Sequence, residues 1–179
     1  FKQKKILRDH DSLKFKKEIL TNLKSKNEII LTSGAVSAGK YDFIPSIIKQ
    51  FKPKYFFKGV SIRPGKPIMF AKFSKNKVFF GLPGNPISSA ACIKFFVLPF
   101  LYYSIGMKEN KPIIARLKNS FVKKKTFTRF TKGKLTFSTK GEAEFKVFKG
   151  QESFRIKPFT KSNAWGLFPS GKANFKKND

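Results

Sequence analysis

From residue 12 to 25 the apolar side chains Leu13, Phe15, Ile19, Leu20 and Leu23 return every three or four positions. That is the period of a helix lying on a core, and Asp11 stands where an N-cap belongs. A short apolar-ended strand over residues 4–7 precedes it and closes at Arg8-Asp9-His10-Asp11. Residues 28–32 (EIILT) form a continuous apolar run, the mark of a buried strand, and lead directly into SGAVSAG. A second helix is predicted over 41–51, with Asp42 as N-cap and Pro45 in its first turn. Strand, helix, strand, loop, helix is the rhythm of a parallel α/β sheet. Strands follow at 55–62, 68–73 and 78–81, the last two joined around Asn76 as a hairpin. Gly-Leu-Pro-Gly-Asn-Pro then opens a long helix from Pro86 to about residue 103. Asn85 is its N-cap, and Pro86 holds the first helical position.

The pattern changes after Gly106. A polar linker, Lys-Glu-Asn-Lys-Pro, is followed by short strand-like runs at 113–117, 127–130, 134–138, 144–148, 154–158 and 165–168. Turns are predicted at Lys132-Gly133, Lys140-Gly141 and Ser170-Gly171. The reading is a parallel-sheet α/β domain over residues 1–109, followed by a small all-β domain over 110–179.

Composition narrows the classes. The 179 residues carry 39 Lys+Arg against 10 Asp+Glu, a net charge of +29. Arginine occurs only at 8, 63, 116, 129 and 155, and lysine is spread along the whole chain. With 23 phenylalanines, this fits the bias of an AT-rich coding sequence better than a nucleic-acid site, where arginine leads. A basic nucleic-acid-binding protein is the alternative, and a charge this positive draws anionic ligands in either case. The single cysteine, Cys92, excludes a disulfide framework and reads as core. No run of about 18 uninterrupted apolar residues occurs; the stretch 87–105 contains Lys94 and Pro99 and reads as a buried helix. No membrane partner and a cytoplasmic location are expected. The one histidine, His10, reads as a loop residue rather than a ligand; no Ser–His–Asp set is found, and Walker A, GxGxxG and HExxH motifs are missing.

Three loops have anion-binding chemistry. Thr32 to Gly39 (TSGAVSAG) leaves a strand for a helix, where open α/β sheets bind ligands; a plain small-residue connector has the same composition. Arg63-Pro64-Gly65-Lys66-Pro67 is a stiff turn carrying two cations; a rigid turn with solvated side chains reads equally well. Gly81 to Pro86, with Ser88 in the first helical turn, offers helix-start amides. Capping accounts for Asn85 and Pro86 there, but not for Pro83-Gly84. Asp9, Asp11 and Asp42 sit at strand-to-helix edges, where carboxylates hold a cation, move protons or simply cap.

TSGAVSAGKYD, RPGKP and GLPGNPISS, in this order and spacing, resemble the molybdopterin molybdenumtransferase family: bacterial MoeA proteins and gephyrin-type E-domains. Residues 124–129 are similar to its R-x-x-F-x-R segment, 150–153 to its G-x-x-S turn, and Asn163-Ala164 with Pro169 and Gly171 to its closing pattern.

The resemblance implies a MogA-like α/β domain followed by a small β-barrel-like domain, and insertion of molybdate into adenylylated molybdopterin, with release of AMP and help from Mg2+. It implies catalytic and magnesium roles for Asp42 and Asp9. Ser33, Gly34, Ser37, Gly39, Gly84, Asn85 and Pro86 would bind adenylyl-molybdopterin; Arg63, Lys66, Pro83, Ser88, Lys124 and Ser153 would bind molybdate. A homodimer of the full-length protein and contact with a molybdopterin adenylyltransferase are further implications. Ala35 replaces a glycine of the family pattern, and Lys124 replaces an arginine, losing the bidentate fork. The chain begins with Phe1, after the family's N-terminal domains and the first strand–loop–helix of the α/β domain. It reads as a C-terminal fragment, inactive and marginally stable alone. A binding or scaffold module without catalysis is the other alternative.

Overall fold

The computed structural model describes residues 12–34, 36, 43–108 and 111–179. The strand expected at 4–7, and Asp9, Asp11, Ser37, Gly39 and Asp42, lie outside the described residues. In chain order the elements up to residue 104 are α1 (Ser12–Lys24), β1 (Ile29–Ser33), α2 (Ile44–Gln50), β2 (Lys54–Lys58), β3 (Ile62–Arg63), β4 (Met69–Ser74), β5 (Lys77–Leu82) and α3 (Pro86–Ser104). There follow β6 (Arg116–Leu117), β7 (Phe121–Val122), β8 (Thr128–Phe137), β9 (Ala143–Val147), α4 (Ile156–Thr160), β10 (Ala164–Phe168) and β11 (Asn174–Phe175).

The chain forms two compact units, Phe1–Val60 with Pro67–Gly84, and Ser61–Lys66 with Asn85–Asp179. α3 and the turn at 61–66 belong to the unit that holds the β-rich part.

In the first unit the strands run in the order β1-β5-β4-β2. β1 and β5 are parallel, while β5–β4 and β4–β2 are antiparallel. The α/β class stands, but the described sheet is mixed rather than parallel, because the β4–β5 hairpin extends it. Phe15 and Ile19 of α1 and Ile44, Ile47 and Ile48 of α2 share one core with Ile30, Met69 and Phe79 of the sheet. Lys77 closes the end of α1: its Nζ donates to the carbonyls of Asn22 (3.1 Å), Ser25 (2.5 Å) and Asn27 (2.6 Å). Helix C-termini leave such carbonyls unpaired and favour a cation there. α2 begins at Ile44 with Phe43 in the cap position and no side-chain cap from it. The strand expected over 55–62 is broken in two at Gly59, which has φ +82°; β2 joins this sheet and β3 joins the other unit.

The second unit contains the sheet β10-β8-β9-β6, with β3 beside β8, and the small pair β11-β7. Leu117, Phe145, Val147 and Phe168 form its core. A β-carbon on Gly133 or Gly166 would run into the ring of Phe145, which reaches from its own strand β9 over the two neighbouring strands β8 and β10. Two expectations fail here. Lys132-Gly133 is not a turn but lies inside the ten-residue strand β8. Residues 154–158 do not form a strand but lead into α4. The carbonyls of Glu152 and Arg155 are taken by the Lys132 ammonium rather than by a neighbouring strand.

α3 is helical throughout but has a π-helical turn at Ile93–Val97, just ahead of Pro99. Proline cannot donate and crowds the carbonyl four residues back, and the wider turn relieves both. In this turn Phe95 stacks on Phe130 (3.9 Å, 8°) and meets Trp165 edge-on (6.0 Å). By length and composition α3 is long and apolar enough to cross a membrane. Ile87, Ser88, Ala91, Cys92 and Val97 are buried, whereas Tyr103 is exposed, so the helix is buried along one stripe rather than throughout.

Candidate anion-binding site

In the first unit the parallel pairing of β1 with β5 sets their carboxyl ends side by side, Ser33 opposite Leu82. The loops leaving these ends are stitched together. Gly34 N donates to Leu82 O at 3.0 Å, and Ser33 Oγ donates to Pro83 O at 3.2 Å. Gly34 has φ +97°, a left-handed conformation that favours glycine. Gly84 answers a different need: a β-carbon there would meet the Gly34 α-carbon at 3.3 Å. Gly84, which capping did not explain, is thus explained by close approach of two loops. At the same edge the Thr32 hydroxyl oxygen is buried with no hydrogen-bond partner. The structure therefore brings Ser33, Gly34, Pro83 and Gly84 together.

In the second unit Asn85 caps α3. Its Oδ1 accepts from Ile87 N and Ser88 N, both at 3.1 Å, and from Ser88 Oγ at 3.4 Å. The amides expected to cradle an anion at this helix start are satisfied by Asn85, and Ser88 is buried. The turn 63–66 packs on α3. Gly65 has φ +108°, and a β-carbon on it would lie 2.8 Å from Cys92 Sγ. The Cys92 thiol donates to Gly65 O at 3.6 Å, and burial pushes its pKa up to about 12. Cys92 is a packing residue, as its position in an apolar helix implied. Pro64 and Gly65 are buried, which leaves Arg63 and Lys66 exposed on the turn. The Arg63-Pro64 peptide is cis.

Arg63 is placed by two further contacts. Its guanidinium lies over the Phe127 ring at 4.9 Å. The parallel pairing of β3 with β8 sets it opposite Arg129. Arg129 is half-buried, and its Nη2 donates to Gln151 O at 2.6 Å. Burial, and then the charge of Arg63, lower the pKa of Arg129, while Glu152 opposes them. Two guanidinium groups on adjacent strands repel one another, and an oxyanion between them relieves that cost.

The two site residues expected from the all-β domain lie on loops tied to the same region. Lys124 is exposed, on a turn whose carbonyls, Lys124 O (3.2 Å) and Phe127 O (2.9 Å), accept from the Nζ of buried Lys123. Ser153 is half-buried on the loop that Arg129 reaches. Among the described residues no three His, Cys, Asp or Glu side chains form a metal-holding group.

A family model described as a probable molybdopterin binding domain matches residues 2–103. The chain belongs to that family. The match ends within the last turn of α3. The chain is also 32% identical over 162 residues to the molybdopterin molybdenumtransferase of Staphylococcus aureus (strain Mu50 / ATCC 700699), covering 89% of this chain and 38% of that protein. It is 31% identical over 170 residues to the protein of the same name from Staphylococcus epidermidis (strain ATCC 12228 / FDA PCI 1200), covering 93% of this chain and 40% of that one. Among solved structures, a molybdopterin biosynthesis moeA protein from Pyrococcus horikoshii OT3 aligns with TM-score 0.67 at 19% identity, over 98% of this chain and 39% of that chain. A molybdenum cofactor biosynthesis protein from Pyrococcus furiosus aligns with TM-score 0.63 at 20% identity, over 91% of this chain and 50% of that one. The family read from the three loops is borne out. The chain spans about two fifths of the curated relatives it matches.

One residue of this family member escaped the sequence reading. Arg129 ends the 124–129 segment, of which the resemblance marks only Lys124 as a site residue. The signal was present, since Arg129 is one of five arginines in a lysine-rich chain. Its pairing with Arg63 spans a long loop and is visible only in three dimensions.

Proposed function

We propose that this chain carries the molybdate-inserting part of a molybdopterin molybdenumtransferase, which transfers molybdate into adenylylated molybdopterin with release of AMP. The observation that carries the reading is the pair Arg63 and Arg129, side by side on β3 and β8. A tetrahedral oxyanion accepts hydrogen bonds from both guanidinium forks, with Lys66 adding charge and the Ser153 hydroxyl a further donor. The stitched loops at Ser33-Gly34 and Pro83-Gly84 lie where α/β sheets receive phosphorylated ligands, and they are assigned to adenylyl-molybdopterin. Ser37, Gly39 and Asp42, which follow in the sequence, belong to the same assignment. Asp42 and Asp9 are the carboxylates that would hold magnesium.

In this mechanism the cationic pair binds and orients molybdate and offsets the charge of an incoming anionic substrate. The dithiolene sulfurs replace oxygens on molybdenum, and protons delivered to those oxygens let them leave as water. The cations lower the repulsion between two anions brought together.

Isothermal titration of molybdate and of AMP into the full-length protein tests the reading, with Arg63→Ala and Arg129→Ala as variants. Loss of molybdate binding in both variants, with AMP binding kept, is expected. Unchanged molybdate affinity in both would overturn it. Asp42→Ala is expected to abolish cofactor formation in a complementation assay, and full activity would remove Asp42 from the assignment.

A further inference from the structure

Lys132 is 1% exposed, inside β8. A buried ammonium is tolerated only where its charge and its donors are met. Lys132 Nζ donates to Gly150 O at 3.0 Å, to Glu152 O at 3.0 Å and to Arg155 O at 3.2 Å. All three of its hydrogens therefore go to main-chain carbonyls of one loop. The loop is tied to the same strand by a second device. Gln151 Oε1 accepts from Lys132 N at 2.9 Å, and Gln151 Nε2 donates to Lys132 O at 2.8 Å. Arg129 adds its bond to Gln151 O.

The carbonyls of residues 150, 151 and 152 are thus all turned toward Arg129 and Lys132. No hydroxyl or amide side chain could supply three donors from one atom, so the lysine is matched to this task. The charged groups that act on Lys132 are Arg129, Glu152 and Arg155, and Glu152 is itself paired with Arg155 at 3.2 Å.

We propose that Lys132 is a positioning residue for the oxyanion: without touching it, Lys132 holds the loop 150–155 on which Arg129 is anchored through Gln151 O, and so fixes Ser153 and the Arg129 guanidinium relative to each other. This rests on the functional reading above. The test uses the full-length protein, with Lys132→Met and exposed Lys134→Met as a control. Two quantities are read: amide hydrogen exchange of segment 150–155, and affinity for molybdate by titration. Exchange in that segment is expected to quicken about tenfold or more in K132M, and molybdate affinity to fall about 10- to 100-fold, as for residues that orient ligating groups. K134M should change neither. Unchanged exchange in K132M overturns the proposal, and so does faster exchange with undiminished molybdate affinity. If K132M does not fold, Gln151→Ala is read in the same two ways, since it cuts the loop's other tie without emptying a buried charge. A wild-type protein that binds no molybdate overturns the reading of the site; wild-type binding left intact in K132M overturns only this inference.

Discussion

Gly84 and Gly34 stand so close that a β-carbon on Gly84 would lie 3.3 Å from the Gly34 α-carbon, whereas a β-carbon on Gly34 would meet nothing within 4 Å. The two glycines are required for different reasons. Gly34 supplies a left-handed conformation, and Gly84 supplies room. Gly34→Ala is expected to cost about 1–3 kcal/mol of backbone strain. Gly84→Ala needs only a shift of a few tenths of an ångström and should cost less. Chemical denaturation of both variants checks this order. The reverse order would mean that contact, not conformation, limits the loop.

The cap of α3 gives a second test. Asn85 satisfies two amides at once, and Asn85→Ala is expected to lower stability by about 0.5–2 kcal/mol. If the exposed amides instead welcome an anion, added sulfate should recover part of that loss in N85A and not in wild type. A melting series with sulfate decides it.

Cys92 is sealed beneath the 63–66 turn, with its pKa pushed up to about 12 by burial. Its thiolate is therefore scarce at neutral and mildly alkaline pH, and alkylation by iodoacetamide at pH 8 should follow unfolding rather than proceed in the folded protein. Gly65→Ala combines strain with a clash against Cys92 Sγ. In the double variant with Cys92→Ala the clash is relieved but the strain is not, so the two changes should be non-additive. Additive effects would show that the two residues do not press on each other.

The pH dependence of stability reports on Lys132. Burial first, and then Arg129, hold its pKa below the ordinary lysine value. Between its folded and unfolded pKa values the unfolded chain binds more protons, so this group's contribution to stability rises with pH as the ordinary value is approached. K132M should flatten that rise in the denaturation midpoint measured across the alkaline range. A rise of the same slope in K132M would assign it to other groups.

Phe145 covers Gly133 and Gly166 on two neighbouring strands. Phe145→Ala is expected to cost about 3–5 kcal/mol, read by urea denaturation, and the second unit should lose its cooperative transition first.

Local chemistry alone determined a good part of this protein. The start of α3 was legible because Asn85 and Pro86 act on their own turn, and the β4–β5 hairpin because its strands are neighbours in sequence. The three loops were legible because glycine, proline and cation placement is written residue by residue. What failed depended on distant partners. Lys132-Gly133 looks like a turn to any local rule; it is strand because the lysine finds three carbonyls on a later loop and the glycine makes room for Phe145. The run 55–62 looks like one strand, but its two ends are claimed by different sheets. Arg63 and Arg129 become a pair only when β3 lies along β8. Propensity is a property of neighbours along the chain, whereas burial of a charge and the meeting of two cations are properties of the packed whole, and only the tertiary structure could decide them.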